Sequence, residues 1–186
     1  GTSPADAWLT IGKAIAAGGG LGDGDTCYIG AGVYRETNVV GITSPTTETK
    51  IVGDVTGEIT GDAGAVRVTS WTTDDKTAPA GAILLSLAGR DFLTFENIFF
   101  VGTTGGFALI NGNVTGPSTN ITFRKCKFLQ PPGSSSGNCI LIGTTGLPAL
   151  QSLHWIFDSC IFYTLTNATA ISITYASSAS GSDWDV

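Results

Sequence analysis

Carboxylates and cations are the groups from which this chain would have to assemble a catalytic site. Asp54, Asp62, Asp74 and Asp75 fall in one stretch, with Arg67 and Lys76 close by in sequence. That mixture suits a polysaccharide lyase. An acidic group or a Ca2+ ion would neutralise a uronate, and an Arg or Lys base would take the proton beside its carboxylate. Asp74-Asp75-Lys76 lies, however, in the polar run WTTDDKTAPA at 71–80, which reads as a solvated loop. A second candidate pair is Glu96 and Asp158. They occupy the same place in a repeated pattern, two repeats apart, which at about 9.6 Å for two strand spacings fits the separation of roughly 5–10 Å that glycoside hydrolysis requires. Arg124 holds that place in the repeat between them, so a stacked ladder of salt bridges is the simpler account. His154, the one histidine, has no acid or nucleophile beside it in sequence and reads as a surface residue. No nucleophile elbow, HExxH, P-loop or EF-hand pattern occurs.

The elements that would position these groups repeat. Leu93-Thr94-Phe95-Glu96-Asn97-Ile98-Phe99-Phe100 returns as residues 121–128, ITFRKCKF, and as residues 155–162, WIFDSCIF. In each copy two apolar residues alternate with polar ones, the phase slips by one, and two more apolar residues follow. A strand that turns a corner does this: Leu93 and Phe95 face inward, the chain bends at Glu96-Asn97, and Ile98 and Phe100 face inward again. The copies are 28 residues apart (Phe95 to Phe123) and then 34 (Phe123 to Phe157). A fixed register with a variable period marks a solenoid whose loops differ in length. The pattern predicts that Phe95, Phe123 and Phe157 form one inward file, and Phe100, Phe128 and Phe162 another. These are core, not a cofactor box.

A second strand type precedes the variable turns: 82–85, 108–110, 139–142 and 170–173, all apolar-rich. The turns run over 112–120, 130–138 and 143–152. Each repeat is expected to carry one short apolar strand and one cornered strand, giving five complete repeats and a sixth that begins at Ala168.

Composition sets the outer limits. The 186 residues suffice for one domain with a substantial core. With 42% hydrophobic and only 13% charged residues the chain is not disordered. Nine basic residues against fifteen acidic ones give a net charge of −6, and only Arg124, Lys125 and Lys127 cluster, which speaks against nucleic-acid binding. No apolar run approaches the roughly 20 residues of a membrane span. Cys27, Cys126, Cys139 and Cys160 lack the spacing of a zinc site and read as small core residues rather than disulfide partners. There is no methionine, so the initiator was trimmed, a leader was cleaved, or the sequence is part of a longer chain; no signal peptide is visible.

Residues 1–20 carry a helical pattern. Trp8, Ile11, Ala14, Ile15 and Ala17 share one face, Thr2, Ser3 or Asp6 supplies the N-cap, and Gly18-Gly19-Gly20 stops it. Such a short helix needs a surface to cover, and the open end of a stack of strands provides one. Next comes Gly24-Asp25-Thr26-Cys27-Tyr28-Ile29, leading to Gly32-Val33-Tyr34-Arg35-Glu36. With the helix before it and the ITFxxCxF repeats after it, this opening resembles the first coil of right-handed parallel β-helix proteins of the pectate-lyase-like superfamily. The resemblance spans nearly the whole chain and implies a fold rather than an activity. It implies an all-β, right-handed parallel β-helix of about five to six coils as a single domain, 1–186. Residues 1–20 would form the cap helix, 21–173 the coils, and 174–186 a tail or incomplete coil.

Polygalacturonase-like members of that superfamily carry Asp-Asp with Gly-His-Gly and Arg-Ile-Lys. Here the Asp-Asp at 74–75 stands alone. The expectation is therefore a non-enzymatic structural or adhesive protein without cofactor, extracellular or on a virion surface as a tail spike, fibre or capsid decoration. A homo-oligomer, or neighbouring structural subunits, would cover the C-terminal end, where no cap is evident and Trp184 stands among polar residues. A surface polysaccharide is a possible ligand. The alternatives are a lyase or glycoside hydrolase fragment, with Ca2+ in the lyase case and Asp74, Asp75, Arg67, Glu96 or Asp158 as its catalytic groups, and a glycan-binding module using Trp71, Tyr163 and Tyr175. The sequons at Asn113, Asn120 and Asn167 are the kind that a Thr- and Asn-rich chain produces by chance. The Thr pairs at 103–104 and 144–145 fall at different repeat positions, unlike the aligned face that ice binding needs.

Overall fold

A computed structural model describes residues 10–16, 21–36, 39, 44–71, 73, 84–87, 89–102, 109–112, 118–130, 138–144, 154–164 and 169–175. They form one short helix and three parallel sheets. The helix α1 is Ile11–Ile15, with Thr10 as its N-cap; the Thr10 hydroxyl accepts from the Lys13 amide at 3.2 Å. Ile11, Ala14 and Ile15 are buried, as their spacing predicts. Trp8 and the cap candidates Thr2, Ser3 and Asp6 lie outside the described residues. The helix sits over the start of the strands. The Gly12 amide donates to Glu36 at 3.2 Å, and Val39 lies against the same turn.

The strands follow in a fixed rotation. The first repeat holds β1 (Thr26–Ile29) and β2 (Gly32–Arg35), with Val39 in the third place, bridged in parallel to Leu85. The second holds β3 (Thr49–Gly53), β4 (Val66–Thr69) and β5 (Leu85–Ser86). The third holds β6 (Asp91–Glu96), β7 (Ile98–Val101) and β8 (Ile110–Asn111). The fourth holds β9 (Thr119–Arg124), β10 (Lys127–Gln130) and β11 (Asn138–Thr144), and the fifth β12 (Trp155–Asp158), β13 (Ile161–Thr164) and β14 (Thr169–Tyr175). The first sheet is ordered β1-β3-β6-β9-β12, the second β2-β4-β7-β10-β13 and the third β5-β8-β11-β14. Each strand thus pairs with the one that holds its place in the next repeat.

This rotation revises the expected repeat. The cornered strand is two strands in two sheets, joined by one or two residues, and the short apolar strand is the third. The segment near Ala168 is accordingly β14, the third strand of the fifth repeat, and not the start of a sixth. The joint residue explains the phase slip. Asn97, Lys125 and Ser159 have φ of 57°, 52° and 56°, the left-handed region, and one such residue turns the chain without a loop. Asn tolerates that region; Lys and Ser enter it because the ladders on both sides fix the chain there.

Register makes the core. Ile51 pairs with Phe95, Phe95 with Phe123, and Phe123 with Phe157. The Phe95 and Phe123 rings stack at 5.1 Å and 14°, and Phe123 and Phe157 at 5.6 Å and 3°. Across the corner Phe100 and Phe128 stack at 5.4 Å, and Phe128 and Phe162 at 4.9 Å. The two files meet edge to face, Phe123 against Phe128 at 5.4 Å and 78°. Stacked and edge-to-face contacts are the arrangements that ring quadrupoles favour. Burying each ring contributes about 2–3 kcal/mol before chain entropy is charged. Trp155 closes the core near the last repeat, its indole N–H donating to the Ser118 carbonyl at 2.9 Å. No helix among the described residues is long and apolar enough to cross a membrane.

Candidate functional site

The candidate acids are placed one by one. Asp74, Asp75 and Lys76 lie outside the described residues. Asp54 and Asp62 belong to the loop 54–65 that joins β3 to β4. Asp54 is buried beneath that loop and accepts from the amides of Gly57 (3.1 Å), Ile59 (2.9 Å) and Thr60 (2.7 Å) and from the Thr60 hydroxyl (3.0 Å). The Thr60 amide does most to hold its carboxyl at about 2, against the opposing push of burial; the Ile59 amide and the hydroxyls of Thr60 and Thr56 add to it. It is an anion that organises a loop. Asp62 is exposed, and its backbone carbonyl accepts from the Ala31 amide at 3.2 Å.

Glu96, Arg124 and Asp158 end β6, β9 and β12 in register, so the repeat position they share is one outward row. Arg124 Nε donates to Asp158 Oδ2 at 2.9 Å, and Lys125 Nζ stands 3.6 Å from Glu96 Oε1. The Ser159 hydroxyl, and then Arg124, hold the Asp158 carboxyl below its ordinary value. An inverting pair needs one carboxyl raised so that it keeps its proton; Asp158 is moved the other way. His154 is exposed, with Nδ1 3.1 Å from Asn120 Oδ1, a bond between neighbouring repeats. Asn120, the one sequon asparagine among the described residues, is thus engaged in a structural contact. Among the described residues no three His, Cys, Asp or Glu side chains gather as metal ligands would. The four cysteines are unpaired thiols, and burial pushes Cys126 up to about 12 and Cys139 up to about 11. Of the aromatics proposed for glycan binding, Trp71 is buried, Tyr163 is exposed on β13, and the Tyr175 side chain is outside the description.

Arg67 leads to a different feature. It stands on β4 in an outward row that reads Val33, Arg67, Phe99, Lys127, Ile161 through five repeats. Its guanidinium lies over the Phe99 ring, 5.3 Å from the centroid, a cation–π contact worth about 0.5–1 kcal/mol at an exposed site. Beside this row, at the corner between the first and second sheets, is an open cleft of about 250 Å3. Val55 and Ala65 of the loop 54–65 wall one side; Asn97, Phe99, Lys125 and Lys127 line the rest. The loop rises here because the second repeat inserts twelve residues between Gly53 and Val66, where later repeats use one or two. Lys125 and Lys127 are exposed, and among the described residues neither Lys127 nor Arg67 has a carboxylate within 4.0 Å. The sequence shows the Arg124-Lys125-Lys127 cluster but not the cleft, since Val66, Phe99 and Lys127 come from three repeats.

The arrangement offers cations beside a half-buried aromatic ring, with no acid–base pair in the cleft. Comparison with protein-family profiles, with curated proteins and with solved structures gives no match for this chain.

Proposed function

We infer that the chain winds as a right-handed parallel β-helix of the pectate-lyase-like kind and serves as a non-enzymatic structural or adhesive protein, a component of a virion surface such as a tail spike, fibre or capsid decoration. The observation that carries this reading is how the described candidate acids are used. Asp54 is bonded into its own loop and Asp158 is paired with Arg124, while unbroken aromatic files fill the interior. A solenoid with a continuous core and structurally committed charges suits a rigid stalk or tile. Among the described residues β12, β13 and β14 are the last strands of their sheets, and such edges suit packing against a further copy or a neighbouring subunit. Fold-level analogy supplies the virion context.

Two measurements test it. Incubation with a panel of uronate polysaccharides, followed for unsaturated products and new reducing ends, is expected to give no turnover above background. Product release that disappears in Arg67→Ala or Glu96→Gln would make the chain an enzyme and overturn the reading. Mass spectrometry of particles purified from a culture expressing the protein is expected to find its peptides at structural stoichiometry. Their confinement to the particle-free supernatant would overturn the virion assignment.

A further inference from the structure

We propose that the corner cleft binds an acidic saccharide unit, with Lys127 and Lys125 taking its anionic group and Phe99 its ring. Three observations lead there. The cations come from a fold that otherwise carries an excess of acids, nine basic residues against fifteen acidic, yet Lys125 and Lys127 both line this cleft and Arg67 stands over the Phe99 ring beside it. Phe99 is an aromatic at an outward position, half-buried and braced by Arg67. The cleft is open to solvent and, at about 250 Å3, lies just below the range for drug-sized ligand sites, roughly 300–1,000 Å3. One or two sugar rings fill that space.

The chemistry selects the ligand. A sugar ring presents C–H groups that pack on an aromatic face and on Val55, and its anionic group accepts from ammonium donors. Glu96 offsets part of the Lys125 charge at 3.6 Å, leaving Lys127 as the stronger anchor. A nucleic acid suits the site less well. Its affinity grows with the number of phosphates neutralised, and two lysines beside an arginine on a chain of net charge −6 supply few. The anionic group can be a carboxylate or a sulfate ester, since both accept from the same donors.

This inference rests on the adhesive reading given above and is tested apart from it. The intact chain is titrated calorimetrically with a glucuronate-containing tetrasaccharide, with a sulfated neutral-sugar tetrasaccharide, with the carboxyl-reduced neutral form of the first, and with a short single-stranded oligonucleotide. At least one acidic tetrasaccharide is expected to bind at least tenfold more tightly than the neutral form, and which one binds identifies the anionic group. Lys127→Gln and Phe99→Ser are each expected to weaken binding about tenfold. Lys50→Gln, on β3 and outside the cleft, should leave it unchanged. Lys127→Gln alters an exposed side chain only, and its circular dichroism and melting temperature serve as the control for folding. Equal binding of the neutral form, tighter binding of the oligonucleotide, or unchanged affinity in folded Lys127→Gln would overturn the site. Absence of binding together with absence of turnover would sink the cleft and leave the structural reading intact; cleavage of a tetrasaccharide would sink the structural reading itself.

Discussion

Replacing Phe123 by alanine strikes the middle of the aromatic column. The ring is fully buried, stacks on Phe95 at 5.1 Å and on Phe157 at 5.6 Å, and meets Phe100 and Phe128 edge to face. Buried Phe→Ala changes cost about 3–5 kcal/mol, and each aromatic pair adds about 0.5–1.5 kcal/mol beyond its area. With two stacked partners and repeats on either side that cannot collapse into the gap, the loss belongs in the upper half, about 4–5 kcal/mol. Phe157→Ala is the internal comparison. It has the same residue type and register, but the ring is only half-buried and stacks on Phe123 alone within its file. About 2 kcal/mol is expected there, since exposure removes much of the transfer term. Urea unfolding, approached from both the folded and the unfolded side, gives the midpoint and slope for each variant. The midpoint should fall at constant slope. At about 2–4 °C per kcal/mol for a chain of this size, the melting temperature of Phe123→Ala should drop by roughly 8–20 °C. Equal losses in the two variants, or less than about 2 kcal/mol for Phe123→Ala, would mean that the rings do not form one packed file.

Three further outcomes follow from particular contacts. Gly53→Ala would place a Cβ 2.5 Å from the Asn97 carbonyl oxygen and 3.1 Å from Val66 Cγ2; because a backbone oxygen cannot swing aside, a loss of about 2–3 kcal/mol is expected by urea unfolding. Phe92 holds φ of 54°, where its neighbour in the next repeat, Asn120, has 53°; Phe92→Asn should therefore stabilise by about 0.5–1 kcal/mol, read as a raised melting temperature. Asp54, held at about 2 in the folded chain against 3.8 unfolded, contributes stability that is complete above pH 4 and is lost as pH falls through 2; Asp54→Asn should remove that part of the acid dependence and open the loop 54–65 to protease at neutral pH.

How much of this was written in the residues differs from place to place. The alternation Leu93-Phe95 and the shifted pair Ile98-Phe100 revealed the inward rows because burial acts on every second residue of a strand, and a slip of one can only mean a bend. The corner itself was half legible. Asn97 is a residue that tolerates positive φ, but Lys125 and Ser159 betray nothing by type and are found only by counting from Phe123 and Phe157. The third sheet was legible as apolar runs but not as a layer, since β5 and β8 have two residues each, too few to show a period. The salt-bridge ladder was foreseen at Arg124 and Asp158, but the partner of Glu96 proved to be Lys125, because the corner residue projects back along the row. The cleft was not legible. It depends on an insertion that rises beside the corner and on side chains numbered 66, 99 and 127, which only the register brings together.

That dependence on register also says where new chemistry can enter such a molecule. Inward rows are closed to change, since any side chain there must stack on the same position above and below. Outward rows carry no such demand, and the one- or two-residue corners of the third to fifth repeats raise no loop beside them. A single repeat that lengthens its corner, as the second does between Gly53 and Val66, then raises a wall beside an otherwise flat face and makes a concavity without disturbing a single core contact. Lys125 at the corner and Lys127 at the start of β10 both line the concavity and belong to a different repeat from the loop, so their charges face it whatever residues fill the loop. Shortening 54–65 to a single asparagine should therefore keep the three sheets and their melting transition while abolishing saccharide binding. Loss of the fold on that deletion would show that the loop is part of the scaffold and not an addition to it.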